Sequence, residues 1–331
     1  MTSLESGYLD SIRFSSDHVA TLRTLGQFRG RQDLFRRQAP EVLAALREAA
    51  VIESSESSNR IEGITAPRDR IEALILKPIA PRDRSEEEIA GYRDALNLIH
   101  ESAQEMAFSA NVILQLHGML YRYHAGVGGR WKMAPNEIVE RNLDGSRRRV
   151  RFVPVPPVAT PHFMERLAVE HARAHDMQRE PLVLVPLAIL DFLCIHPFAD
   201  GNGRMARLIT LLLLYQAGYE VGRYISLERI VEQSKETYYE ALEASSHNWH
   251  DGKHDALPWM TYLWGVLIRA YGEFEERVGT IRPGRGAKTD LVEQAVARRT
   301  RPFGITEIEA ECPGVSRDMV RVVLRQLRDQ R

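Results

Sequence analysis

Twelve consecutive residues, His196-Pro197-Phe198-Ala199-Asp200-Gly201-Asn202-Gly203-Arg204-Met205-Ala206-Arg207, hold the densest chemistry in this 331-residue chain. His196 offers an imidazole, which titrates near neutral pH and can take up a proton. Asp200 offers an oxygen ligand for a hard cation such as Mg²⁺. Gly201-Asn202-Gly203 falls where a helix should begin. The N–H groups of a helix start are unpaired and its dipole favours negative charge, so this is a ready cradle for phosphate. Glycine lets the backbone come close to an anion. Arg204 and Arg207 are three apart, so both can lean from one helical side toward a polyphosphate. Alone, His-Pro reads as a helix end and Gly-Asn-Gly as a turn; together, a base, a metal ligand, an anion nest and two cations point to nucleotide chemistry. Apolar runs from Leu182 to Ile195 and from Leu208 to Leu214 flank the stretch. Both read as buried helices, a rigid mount for the polar residues between them.

A second stretch, Ile52 to Gly63, closes a long helical pattern. Ser58 and Glu62 are four apart and share a face, and Gly63 suits a C-terminal cap. Spacing alone favours a polar helix end with a solvated glutamate.

The elements around these stretches are mostly helical by periodicity. Residues 1–15 read as a loose lead-in. Helices are expected from Asp17 to Arg29, from Gln32 onward, from Thr65-Ala66-Pro67 to Leu76, and from a capping Ser85 to Ala103. Others are expected from Ser109 to Tyr123, from Thr160-Pro161 to His175, over Ser226–Gln233 and Lys235–Ser246, and from Leu257 to Val278. Glu137–Val139 and Arg149–Val153 read as two short strands, with Asp144-Gly145 as the turn between them. Gly279 to Lys288 reads as a linker, followed by a helix over Thr289–Arg299 and a helix-turn-helix spanning Thr306–Ala310 and Ser316–Arg328. Arg317, Arg321 and Arg325 line its last helix.

Composition narrows the class. A formal net charge of −1 gives no global field toward nucleic acid or anionic membrane. The two cysteines, Cys194 and Cys312, are far apart and fit a reducing compartment. No long apolar core opens the chain and no run reaches a membrane-spanning length, so a cytoplasmic protein without a membrane partner is the expectation. His171 and His175 are four apart but lack a third ligand, so no metal site is expected there.

The stretch from His196 to Arg207 resembles the signature of the Fic family, His-Pro-Phe-x-Asp/Glu-Gly-Asn-Gly-Arg-x-x-Arg, at every fixed position. The resemblance implies a mainly α fold: a Fic helical core with a β-hairpin flap over residues 85–280, a preceding helical region (1–84) and a small winged-helix-like domain (281–331). It implies a protein adenylyltransferase moving AMP from ATP to a Ser, Thr or Tyr hydroxyl of a target protein or of itself, with Mg²⁺. Carried over, His196 takes the hydroxyl proton and Asp200 holds Mg²⁺. Gly201, Asn202, Gly203 and Arg204 contact the phosphates, Arg207 meets the γ-phosphate, and Met205 and Ala206 complete the nucleotide-binding stretch. Phe198 anchors the loop.

Ser58-x-x-x-Glu62-Gly63 resembles the family's inhibitory motif, whose glutamate pairs with the second motif arginine, here Arg207. Tyr238-Tyr239 resembles a segment bordering the adenine pocket, with Tyr239 as the nucleotide contact. The hairpin resembles the flap on which the protein substrate docks as an added strand. The subclass can act as a homodimer. Three alternatives stay open: removal of AMP from a target, another nucleotide donor, and a DNA-binding regulator working through the C-terminal arginines. The chain stops before the strands of a wing, so a docking or dimerisation module is as good a reading of that domain as DNA binding.

Overall fold

Apolar positions recur every three to four residues through most of the chain, and the computed structural model is accordingly built of helices with one small hairpin. It describes residues 3–38, 40–77, 79–124, 126, 128–141 and 147–279, and toward the C-terminus 289, 292–293, 295–296, 303–312 and 315–329.

A short turn of helix, α1 (Ser6–Leu9), precedes two long helices, α2 (Ser16–Gln38) and α3 (Pro40–Ile61). Then come α4 (Arg68–Leu76), α5 (Arg84–Ser102) and α6 (Ala110–Leu120). The hairpin pairs β1 (Ile138–Arg141) with β2 (Arg147–Phe152) in antiparallel register. Beyond it run α7 (Thr160–Asp176), α8 (Pro181–Ile195), α9 (Asn202–Gln216), α10 (Leu227–Gln233), α11 (Lys235–Ser246) and α12 (Leu257–Gly279). Two further helices, α13 (Ile305–Glu311) and α14 (Arg317–Asp329), contribute to a separate small core of Val292, Ala295, Ile308, Cys312, Val320 and Val323.

The centre of the main core is α8, apolar on every side, packed against α7, α9 and α12. Pro186 lies inside it and cannot donate to the carbonyl of Leu182 four residues back. The Trp264 indole N–H of α12 supplies the missing bond at 2.7 Å. A buried carbonyl is thereby satisfied.

Several expectations are corrected. The break near Arg29 is absent: α2 runs through Gln38, because Gly30 alone costs a helix only about 1 kcal/mol. The next helix begins instead on Pro40, where a missing N–H is harmless. The cap of α5 is Asp83, whose carboxylate accepts from the Glu86 N–H at 3.0 Å, and not Ser85. The lead-in is not loose: Ser3 and Leu4 are buried, and Tyr8 stacks on His254 with ring centroids 4.3 Å apart. A buried carboxylate on α8, Asp191, accepts from the Ser3 N–H at 2.7 Å and from the Trp249 indole N–H at 2.6 Å. The Asp144-Gly145 turn, the 280–288 linker, most of Thr289–Arg299 and the Pro313-Gly314 turn lie outside the described residues. Among the described residues no helix is long and apolar enough to cross a membrane.

Candidate active site

The helix α8 ends at His196, whose N–H still bonds the Phe192 carbonyl at 2.8 Å. There the backbone turns left-handed (φ 50°, ψ 60°), unusual for a residue with a Cβ. The turn sends the chain through Pro197 and Phe198 and back into α9. Phe198 is fully buried and lies flat against the His117 ring of α6, centroids 3.7 Å apart. The Asn202 side chain braces the same loop, accepting from the Phe198 N–H and donating to the Phe198 carbonyl, both at 2.9 Å.

The His196 ring is half-buried. Its Nδ1 lies 3.3 Å from the Leu193 carbonyl, which can only accept, so Nδ1 carries the proton and Nε2 keeps its lone pair. Burial, with a smaller contribution from the Lys132 ammonium, lowers its pKa to about 4. The ring is therefore neutral at pH 7 and able to accept a proton.

At the start of α9, Gly201 is left-handed (φ 80°). The Asp200 carboxylate accepts from the Gly201 N–H at 2.7 Å and is otherwise largely in solvent, with the Arg204 and Arg84 guanidiniums 3.9 Å and 4.0 Å away. Gly203 lies directly against the Glu62 carboxylate: a Cβ there would stand 2.2 Å from Glu62 Oε1 and 3.3 Å from an Arg207 guanidinium nitrogen, so a side chain would displace Glu62.

The two arginines of α9, both expected as phosphate contacts, have different partners in the structure. Arg204 is wholly buried and already paired: 2.6 Å to the buried Glu88 of α5, 2.8 Å to the Tyr121 hydroxyl and 3.2 Å to the Asn59 side-chain oxygen. Its head is held by protein oxygens, since a cation in so dry a place requires them. Arg207 is bound entirely from α3. Its Nε donates to the Ser58 hydroxyl, and one terminal nitrogen donates to the Ser58 carbonyl and to Glu62, each at 2.8 Å. The other terminal nitrogen is buried with no partner among the described residues.

The end of α3 that brings Glu62 here is closed by a two-bond glycine cap. The Ile64 N–H reaches the Asn59 carbonyl and the Gly63 N–H the Arg60 carbonyl, both at 3.0 Å, with Gly63 at φ 81°. Ser54, Ser55, Ser57, Ser58 and Asn59 are all buried beneath that turn. The solvated glutamate that spacing alone favoured is therefore corrected: Glu62 turns inward to a buried guanidinium, its side chain 31% exposed.

Met205 and Ala206 turn into the core at 0% and 1% exposure, on a helix buried nearly all round. The Asn202 side chain braces the loop and Arg204 is paired, so these side chains all have partners or packing within the protein. Tyr239 of α11 is half-buried, meets Tyr238 edge-on and feels the charges of both Glu62 and Arg207.

Three neighbours escaped the sequence reading. His117 accepts from the Gly129 N–H at Nδ1 (3.0 Å), so its Nε2–H donates to the Asp200 carbonyl at 3.2 Å. Lys132 and Asn136, in the irregular connector before β1, bond the carbonyls of the His196 turn. The only advance signal was a polar residue, His117, on the otherwise apolar face of α6.

Residues 107–214 match the Fic/DOC family. A protein adenylyltransferase Fic of Nematostella vectensis is 25% identical over 205 residues, covering 57% of this chain and 42% of that protein. Another of that name from Drosophila ananassae is 28% identical over 214 residues, covering 62% and 40%. The chain thus spans about two fifths of the length of these relatives. The crystal structure of a Fic family protein from Desulfovibrio desulfuricans G20 superposes with a TM-score of 0.67 at 21% identity, covering 94% of this chain and 88% of that one. The left-handed histidine, the glycine-opened helix and the buried arginine pair all fall inside or against the matched segment, and this chain carries a Fic/DOC-family domain.

Proposed function

We propose that the chain is a protein adenylyltransferase restrained by Glu62. One observation carries this reading. A guanidinium near a glycine-opened helix start is bound by a carboxylate that enters from another helix and lies directly against Gly203. An anion site is built there, and a side-chain anion stands in it.

In this reading the Gly201–Gly203 helix start and Arg207 hold the phosphates of ATP. The unpartnered nitrogen of Arg207 is a donor awaiting an oxygen. Asp200 fits a Mg²⁺ carried in with the phosphates, since such ions take one or two carboxylates and complete their shell with phosphate and water. That ion would supply charge neutralisation between phosphates. Tyr239, close enough to feel the charges of Glu62 and Arg207, would contact the base. The hydroxyl oxygen of a target Ser, Thr or Tyr attacks the α-phosphorus, its proton passes to His196 Nε2, and the bond to the β-phosphate oxygen breaks to release pyrophosphate. The work is positioning and charge stabilisation. The hairpin is the docking edge for the target strand, and the division at 84 and 280 separates the inhibitory region, the catalytic core and the C-terminal unit.

The test is labelling with [α-³²P]ATP and Mg²⁺, with and without candidate target extract. Glu62→Gly should label well above the natural chain, and Glu62→Gly/His196→Ala should not label. Equal labelling by those two variants overturns the reading.

A further inference from the structure

The left-handed turn at His196 is strained, and such a turn persists only where its surroundings over-determine it. What holds it is compact. The Lys132 ammonium donates to the Ile195 carbonyl at 3.1 Å, and the Lys132 backbone N–H donates to the Pro197 carbonyl at 2.9 Å. The Asn136 side-chain N–H group donates to the His196 carbonyl at 3.3 Å and to the Phe198 carbonyl at 3.0 Å. All four carbonyls from Ile195 to Phe198 are thus held by two residues of one strap. The two are joined to each other, Lys132 Nζ to Asn136 Oδ1, at 2.8 Å.

Lys132 is 3% exposed and pairs with no carboxylate among the described residues. A buried ammonium whose only described partners are neutral oxygens is costly to keep. Ordinary packing would be served as well by a methionine. The strap also runs straight into β1, which starts two residues after Asn136. The strap that holds the His196 turn is therefore continuous with the hairpin.

We propose that Lys132 and Asn136 are positioning residues that fix the His196 turn and tie its geometry to the hairpin. The functional half of this rests on the adenylyltransferase reading. Both act through the backbone of the turn and neither touches the nucleotide. Losing them therefore lowers the rate of transfer and leaves ATP binding alone. Burial lowers the Lys132 pKa to about 8, yet its neutral amine keeps two N–H donors, so the strap survives mild alkali.

The experiment uses the full chain carrying Glu62→Gly, with Lys132→Met, Lys132→Arg or Asn136→Ala added. Two readouts are taken: the kcat and KM for ATP of labelling, and hydrogen exchange in peptides covering 192–203. Lys132→Met and Asn136→Ala should lower kcat at least ~10-fold with KM for ATP changed less than about twofold. They should also speed exchange in the turn while exchange in residues 182–191 of α8 and in α12 stays unchanged. Lys132→Arg, which keeps a charged donor, should restore most of both. An unchanged kcat or unchanged turn exchange in Lys132→Met overturns the proposal, as does exchange that rises throughout the protein. If the Glu62→Gly parent does not label, the adenylyltransferase reading has failed. The exchange comparison then decides the strap by itself.

Discussion

Replacing Glu62 by glutamine keeps the side chain's volume and its seat against Gly203 but removes its charge. The structure sets the size of the effect. Glu62 makes one 2.8 Å bond to Arg207, which is 6% exposed, while the carboxylate is 31% exposed. A hydrogen bond between charged groups contributes about 1.5–3 kcal/mol and one to a neutral acceptor about 0.5–1.5. Partial exposure of the carboxylate places this bond in the lower half of its range. Glutamine should therefore weaken the restraint by about 1 kcal/mol, a ~5-fold rise in labelling, and glycine by about 2 kcal/mol, a ~30-fold rise. The assay is initial-rate labelling at ATP well below its KM for the natural chain, Glu62→Gln and Glu62→Gly in parallel. The order natural, Gln, Gly is required. If Gln equals or exceeds Gly, the charge is not what restrains the site. If neither exceeds the natural chain, Arg207 is not the group being restrained.

Ser58→Ala leaves the Arg207 Nε without its 2.8 Å acceptor and should raise labelling ~5-fold, with no further rise when added to Glu62→Gly, because both changes act on one guanidinium; additive rises in a rate assay count against this. Glu88→Ala strands the fully buried Arg204 and should destabilise the protein by about 3–5 kcal/mol in urea unfolding; a loss under about 1 kcal/mol would mean that Arg204 finds other partners. Burial lowers the pKa values of His117 and His254 to about 4, so their stabilisation is complete above about pH 6.5 and is lost as pH falls toward 4, each giving up about 2 kcal/mol between pH 7 and pH 5. Burial raises Asp191 to about 6, so its contribution has the opposite sign and returns about 1 kcal/mol over the same interval; urea midpoints should fall from pH 7 to pH 5, and fall further in Asp191→Asn.

The sequence told most about the site where chemistry was local. His196, Asp200 and the glycines stand where their types placed them, since the apolar runs on either side could only be buried helices. The Ser58–Gly63 segment stood out through its resemblance to a family motif, since spacing alone favoured a solvated helix end, and only the cap at Gly63, a local backbone event, was legible from the residues themselves. What spacing could not reveal was the partner of each arginine. Arg204 and Arg207 look alike on a helical wheel, and only the arrival of Glu88 from α5 and of Glu62 from α3 tells them apart. Long-range pairing hid Lys132, Asn136 and the docking of Ser3 on Asp191 for the same reason: a hydrogen bond across 63 or 188 residues leaves no period in the sequence.

The origins of those partners explain why one arginine suits structure and the other suits control. The charge of Arg204 is compensated mainly from the core, by Glu88 of α5 and by Tyr121, with one long bond from Asn59. Every bond of Arg207 comes from Ser58 and Glu62 at the end of α3. If that end moves away, Arg204 keeps Glu88 and Tyr121, while Arg207 loses Ser58 and Glu62 together, a state that favours an anion in their place. In the adenylyltransferase reading a triphosphate would supply one, and undocking of the α3 end and binding of the terminal phosphate would be two halves of one exchange at a single guanidinium. By linkage each must weaken the other by the same factor. A serine-lined underside makes the exchange feasible, because hydroxyls released from that interface find water where apolar side chains would not. Restraint of this kind is set by competition for a charge. It should therefore yield to rising ATP concentration, and do so at lower concentration in Glu62→Gln than in the natural chain.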